Sequence, residues 1–312
     1  MLPAYCWHTV AVSEINADLV RRLIDSQFPQ WSHLPVRPVD HGGCDNRTFR
    51  LGDELSVRLP SAAAYRFAVE KEQRWLPVLA PHLPLPVPTP VAQGSPAPGY
   101  PYPWSVYRWL DGSPASPRFD GGNVSDPTAF ATAVAEFLVA LRACDATDGP
   151  VPGPHNFHRG GPVSFYAPDV ERTLSTLADE VPVAAARQVW EDALATSWTG
   201  DPVWFHGDIA FGNLLIRDGA LAAVIDFGTA GIGDPACDLA LAWTMLTGKN
   251  REAFRTTLAL DADTRARGRG WALWKALLIL ETSVHDGDDT KAAEQRTVIR
   301  EILVDHERER FA

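Results

Sequence analysis

One stretch confines this chain more than any other: an apolar run that ends in His-x-Asp, and a second that ends in Asp-Phe-Gly. It reads Trp204-Phe205-His206-Gly207-Asp208-Ile209-Ala210-Phe211-Gly212-Asn213-Leu214-Leu215-Ile216, then Leu221-Ala222-Ala223-Val224-Ile225-Asp226-Phe227-Gly228. The spacing H-x-D-x-x-x-x-N followed by D-F-G is that of a phosphoryl-transfer site. One carboxylate has to reach an attacking hydroxyl. An amide and a second carboxylate have to meet at the cations that bridge the phosphates.

The local geometry follows from the turn. Asp218-Gly219 between apolar runs predicts a two-residue hairpin. Folding about it sets Arg217 opposite Ala220 and Asn213 opposite Val224. Side chains alternate along a strand, so Asn213, Val224 and Asp226 should share one face. Asn213 and Asp226 would then be diagonal neighbours, about 7–8 Å apart at the backbone, with room for an oxygen-coordinated cation between them. A plain surface hairpin with polar ends would be the bland reading.

The 312 residues, 46% of them hydrophobic, suffice for one large domain or two modest ones. No apolar run approaches membrane-spanning length, and the start Met1-Leu2-Pro3-Ala4-Tyr5-Cys6-Trp7-His8 lacks the basic and long apolar regions of a signal peptide. Cys6, Cys44, Cys144 and Cys237 form no C-x-x-C pair and read as reduced thiols, so the expected location is the cytoplasm. A net charge of -11 argues against a nucleic-acid partner and would steer a cationic small molecule.

Upstream of the hairpin, residues 13–28 predict an amphipathic helix with Ser13 as N-cap. Residues 39–51 hold Gly42-Gly43 and Asn46 between strand-like residues, a hairpin whose amides could approach phosphate oxygens. Leu55, Val57 and Leu59 alternate with Ser56 and Arg58, which puts Arg58 where a nucleotide cleft carries its phosphate cation, ordinarily a Lys. Residues 62–80 predict a helix with Glu72 inside the apolar stripe. A carboxylate there needs a partner, and Arg58 on the preceding strand is the natural one. Nine prolines between Pro81 and Pro103 exclude regular helix and leave room for an edge strand. The strand Trp104–Leu110 follows, and beyond Asp111 the character becomes helical: 127–142, one or two helices in 172–196, a Trp-rich helix 265–283, and 292–309. His155 and His158 read as part of a structured loop, since no carboxylates or cysteines cluster beside them.

His206-Gly207-Asp208 with Asn213-Leu214-Leu215, Val224-Ile225-Asp226-Phe227-Gly228, and Gly231–Asp238 running into Leu239-Ala240 resemble the aminoglycoside phosphotransferase family. That family is the antibiotic-kinase branch of the protein-kinase-like fold, which also holds choline kinases. The resemblance spans roughly residues 40–290, with motif-level matches at 204–240. It implies an α+β bilobal fold. A small antiparallel N-lobe sheet with one main helix would occupy 1–110, with a hinge at about 107–112, and a mostly helical C-lobe would occupy 111–312. ATP or GTP would bind with Mg²⁺ at the junction.

Carried over, Asp208 resembles the catalytic base or hydroxyl-orienting carboxylate, and Asn213 and Asp226 resemble the Mg²⁺ ligands. Arg58 and Glu72 correspond to the phosphate-positioning pair, Gly42, Gly43 and Asn46 to the phosphate loop, and main-chain groups around Tyr107 and Trp109 to the purine contact. Arg in place of Lys at position 58, and the lack of G-x-G-x-x-G, depart from the pattern. His206 is expected to be structural, with Asp234 and Asp238 bracing the catalytic loop. Glu281, Asp286, Asp288 and Asp289 form an acidic group that could hold amino-sugar ammoniums. The leading expectation is a kinase of a small cationic natural product, with an aminoglycoside first, acting as monomer or homodimer. A macrolide, choline-like amine, sugar or homoserine kinase, a nucleotide-binding pseudokinase and a metal-dependent hydrolase are the rivals.

Overall fold

The computed structural model describes residues 15–39, 43, 45–116 and 122–310. Helix α1 (Ala17–Gln27) begins at Asn16, whose Oδ1 accepts from the Leu19 N–H at 3.0 Å; the expected cap Ser13 lies outside the described residues. Strands β1 (Val36–Pro38), β2 (Asn46–Leu51) and β3 (Leu55–Pro60) come next, then helix α2 (Phe67–Leu79) and strands β4 (Pro90–Gly94) and β5 (Trp104–Arg108). They form one antiparallel sheet in the order β1-β2-β3-β5-β4. The proline-rich segment supplies β4 at the sheet edge, where a missing N–H is tolerated. Leu51, Val57, Leu59, Trp104 and Val106 pack under α1 as a first core.

Beyond the sheet come β6 (Ser113–Pro114), α3 (Pro127–Ala143), α4 (Ala167–Thr176), α5 (Val183–Leu194), β7 (Val203–Phe205), β8 (Leu214–Arg217), β9 (Ala220–Val224), β10 (Gly231–Gly233), α6 (Leu241–Thr244), α7 (Gly248–Leu258), α8 (Ala262–Asp286) and α9 (Asp289–Arg310). Asp126 caps α3 through the Thr128 and Ala129 amides, and Pro127 stands in the first turn, where no amide is needed. A second, larger core runs through these helices and takes in Leu76, Leu79 and Tyr107 from the sheet side. Helix α2 therefore belongs to both halves. Its Gln73 Nε2 donates to Ala92 O at 3.0 Å and to Ser105 Oγ at 3.1 Å, fastening it to β4 and β5. Among the described residues no helix is long and apolar enough to cross a membrane.

The active-site hairpin departs from its expected register. Arg217 does face Ala220 across Asp218-Gly219, whose φ values of 53° and 79° suit a tight hairpin turn. Ile216 then faces Leu221, but Leu215 faces Ala223 and Leu214 faces Val224, so Ala222 is a bulge. Asn213 does not lie opposite Val224. It ends the turn Phe211–Asn213 before β8, and its carbonyl accepts from the Ile225 N–H at 2.9 Å. The shared-face argument fails because an extra residue shifts the pairing by one, and the Ala222-Ala223 pair hides that insertion from the apolar pattern.

Candidate active site

The loop after β7 is held by its own backbone. Asp238 Oδ2 accepts from the His206 N–H at 2.8 Å, and Oδ1 accepts from the Gly207 N–H at 2.7 Å. Gly207 has φ +85°, and a Cβ there would sit 2.8 Å from Thr229 O, so no other residue fits. The Asp208 N–H donates to His206 Nδ1 at 3.2 Å, which leaves the ring proton on Nε2, 3.0 Å from Ile225 O. His206, fully buried, is thereby a strut between the two motifs. Asp234 caps the turn Pro235–Ala240 through the Ala236 N–H and is itself held by Arg267 Nε at 2.7 Å.

Asn213 Nδ2 donates to Asp208 O at 2.9 Å and to Asp208 Oδ2 at 3.2 Å. The other oxygen, Asp208 Oδ1, accepts from Lys275 Nζ at 2.6 Å. Burial would raise the Asp208 carboxyl, but the Lys275 ammonium and the Arg159 guanidinium outweigh it and hold the group well below the usual carboxylate range. Asp208 is therefore ionised and fixed in direction.

Asp226 stands in the left-handed region, φ +68°, and its Oδ1 accepts from Arg58 Nη2 at 3.0 Å. Arg58 Nη1 lies 3.5 Å from Glu72 Oε1. Burial alone would lower Arg58, but Asp226 and Glu72 outweigh it and raise it, so the guanidinium stays charged. Glu72 is 4% exposed and its other oxygen accepts from the Tyr107 hydroxyl. Burial pushes the Glu72 carboxyl up against the pull of Arg58.

At the expected purine contact, the Arg108 N–H donates to Thr89 O at 2.9 Å and the Trp109 N–H to Glu54 O at 2.7 Å. Both of these amides are thus taken up at the sheet's own edge. The Trp109 ring lies under the Arg50 guanidinium, 4.3 Å from the centroid, and its Nε1 donates to Asp111. Tyr107 contributes its side chain to Glu72. Gly42 lies outside the described residues. Gly43 has open space where a Cβ would be, and Asn46 starts β2 buried opposite Pro60.

A model of the phosphotransferase enzyme family matches residues 36–274. The chain belongs to that family. It is 45% identical over 62 residues to an aminoglycoside 3'-phosphotransferase of Escherichia coli, a match spanning 20% of this chain and 23% of that protein. The fold resembles aminoglycoside 2'-phosphotransferase-IIIa in a GDP complex, with TM-score 0.70 and 20% identity over 93% of this chain and 99% of that one. It also resembles a macrolide 2'-phosphotransferase from Brachybacterium faecium, with TM-score 0.59 and 23% identity over 91% and 97%. These likenesses establish the protein-kinase-like fold.

In this family member, Asn213 Oδ1 and Asp226 Oδ2 accept no hydrogen bond from any described residue, and both are hard oxygen donors. No group of three or more His, Cys, Asp and Glu side chains able to hold a metal occurs among the described residues. One carboxylate and one amide suit a cation that takes its remaining ligands from phosphates and water.

Four site residues escaped the sequence reading. Lys275 interrupts the apolar run Trp271–Leu280, and a cation in such a run needs a partner; that signal was present. Arg159 follows two left-handed residues, Phe157 and His158, and is buried beside the Asp208 loop. Lys71 Nζ donates to Gly228 O at 2.6 Å, and burial lowers it to about 7. Asp45 is pushed up to about 7 by burial and by the charges of Asp226 and Asp208.

The acidic group expected to hold an acceptor lies at the end of α8 and the start of α9. Glu281 is ion-paired with Arg172, which also lies 3.7 Å from Asp169. Asp286 is the last residue of α8, and Asp288 accepts from the Lys291 N–H at the start of α9. The pocket against Asp208 is walled instead by Arg159, Ile209, Trp271, Trp274 and Lys275.

Proposed function

We propose that this protein transfers the γ-phosphoryl group of ATP or GTP to a hydroxyl of a small molecule. The observation that carries the proposal is Asp208, ionised and aimed by Lys275 and Asn213 at the floor of a pocket. Phosphoryl transfer asks the protein for positioning and charge more than for covalent chemistry. Asp208 would accept the hydroxyl's hydrogen bond and set the oxygen in line with the phosphorus. Arg58, permanently charged, would stand beside the developing negative charge. Asn213 and Asp226 would hold Mg²⁺, which would supply positive charge to neutralise the phosphates.

In this reading residues 1–110 form the nucleotide-covering lobe and 111–312 the catalytic and acceptor lobe, in a cytoplasmic enzyme. Similar proteins are named as aminoglycoside and macrolide phosphotransferases, so these two classes come first among acceptors to assay. The test is nucleoside diphosphate release over aminoglycosides, macrolides, sugars and amino alcohols with ATP and GTP, with mass spectrometry of products. A product heavier by one phosphate, lost in Asp208→Ala, is the expected result. Tight nucleotide binding without transfer to any acceptor would instead make the chain a pseudokinase.

A further inference from the structure

The pocket at Asp208 has a chemistry of its own. The cations Lys275 and Arg159 face it, and Asp208 is the carboxylate in its wall. One oxygen of that carboxylate already carries an ammonium, Lys275 Nζ at 2.6 Å, and the other takes the Asn213 amide at 3.2 Å. A carboxylate has about four lone-pair sites, so a hydroxyl can still bond to it, but its charge is matched. Glu281, two turns further along α8, is paired with Arg172. Asp169 lies 3.3 Å from Trp274 Nε1 and 3.7 Å from the same Arg172. Asp45, beside the start of β2, is raised by burial and by the charges of Asp226 and Asp208. The chain's charge of -11 is thus not concentrated where an acceptor would sit.

The rest of the wall pairs two indoles, Trp271 and Trp274, with the small or apolar Gly207, Ile209, Cys237 and Ala240. Trp271 and Trp274 line the pocket with centroids 5.5 Å apart, and Tyr166 packs 4.8 Å and 4.0 Å from them. Phe165 extends the array at 5.1 Å from Tyr166, is 53% exposed, and stacks on His158 at 3.9 Å. Trp271 Nε1–H is buried with no acceptor among the described residues. Among the described side chains of the lining, the donors Lys275, Arg159 and Trp271 outnumber the one carboxylate, Asp208. Ammonium groups are donors with positive charge, so several of them would meet Lys275 and Arg159 with only Asp208, already paired, as a carboxylate in the described lining.

Resting on the phosphotransferase reading above, we infer that Lys275, Arg159 and the Trp271/Trp274 wall select an acceptor alcohol that is uncharged or anionic around the reacting hydroxyl, rich in oxygen acceptors and with an apolar or planar face, and that they disfavour polyamines. Lys275 is then a specificity-determining residue as well as the partner that orients Asp208.

The test uses acceptors matched in shape and differing in charge: kanamycin and its fully N-acetylated form, glucosamine and N-acetylglucosamine, with glucuronate as an anion. The full-length enzyme is assayed for kcat/KM with saturating Mg²⁺ and nucleotide. Expected is at least a ten-fold preference for the uncharged member of each pair, shrinking in Lys275→Gln and reversing in Lys275→Glu while the KM for nucleotide holds. A wild-type preference for the ammonium form, or a preference indifferent to Lys275, overturns the inference and leaves the phosphotransferase reading standing. Absence of transfer to every member counts against the phosphotransferase reading itself. In that case, quenching of tryptophan fluorescence, taken as wild type minus Trp274→Phe, decides the inference: tighter binding of N-acetylated probes supports it, and tighter binding of the polyamines overturns it.

Discussion

Arg58 and Asp226 meet at 3.0 Å, joining the sheet's central strand to the Asp-Phe-Gly turn, while the other arm of the same guanidinium lies 3.5 Å from Glu72. A lysine has one ammonium and cannot fork in this way. Arg58→Met leaves Glu72 buried without its cation, and losing one partner of a buried pair costs about 3–5 kcal/mol. Denaturant unfolding should show a loss of that order, with Arg58→Lys falling between the variant and wild type. Unchanged stability in Arg58→Met would mean that Glu72 is satisfied by Tyr107 alone.

Asp208→Asn keeps the shape and removes the charge. Loss of a positioned acid–base group lowers transfer by about 10²–10⁴-fold, while nucleotide affinity by calorimetry should change little. Retained turnover in this variant would contradict the role assigned to Asp208.

Asp45 sets a pH dependence. Its folded pKa of about 7 lies above the ordinary 3.8, so the folded state holds a proton that the unfolded chain has released between those values. Its contribution is fully present below about pH 4 and is lost as pH rises through about 7. Asp45→Asn, which cannot ionise, should gain stability relative to wild type steadily from pH 4 to 7. Parallel thermal-melting curves across that window would refute it.

Asp238 is the sole described acceptor of two successive buried amides, those of His206 and Gly207. Asp238→Ala strands both, at about 1–3 kcal/mol each, and frees Asp208 to wander. The expected result is a lower melting temperature together with a fall in kcat at temperatures where the variant is still folded. Asp238→Asn, which retains one acceptor oxygen, should fall less on both measures.

The chemistry-bearing loop was legible because it is local. His206, Asp208, Asn213 and Asp226 closely flank one hairpin, and the chemistry fixes their spacing. Arg58 and Glu72 were legible because a carboxylate in an apolar stripe demands a cation, and the nearest strand offered one. What escaped needs distant parts of the chain. Lys275 reaches Asp208 across 67 positions and Lys71 reaches Gly228 across 157, and no periodicity announces such a meeting. The hairpin register escaped for the opposite reason: Ala222 and Ala223 are too alike for a pattern to show which one bulges. The pairing of Glu281 with Arg172 also escaped, because charge in a sequence does not reveal which carboxylates already have a cation.

Helix α8 brings Trp271, Trp274 and Lys275 to the reacting carboxylate from outside the motif that carries it. If the proposed roles hold, reactivity and choice of target are written in separate paragraphs of the gene. Exchanges along that one helix flank would then redirect the protein toward a new compound while the His206–Gly228 segment, untouched, went on performing the same operation.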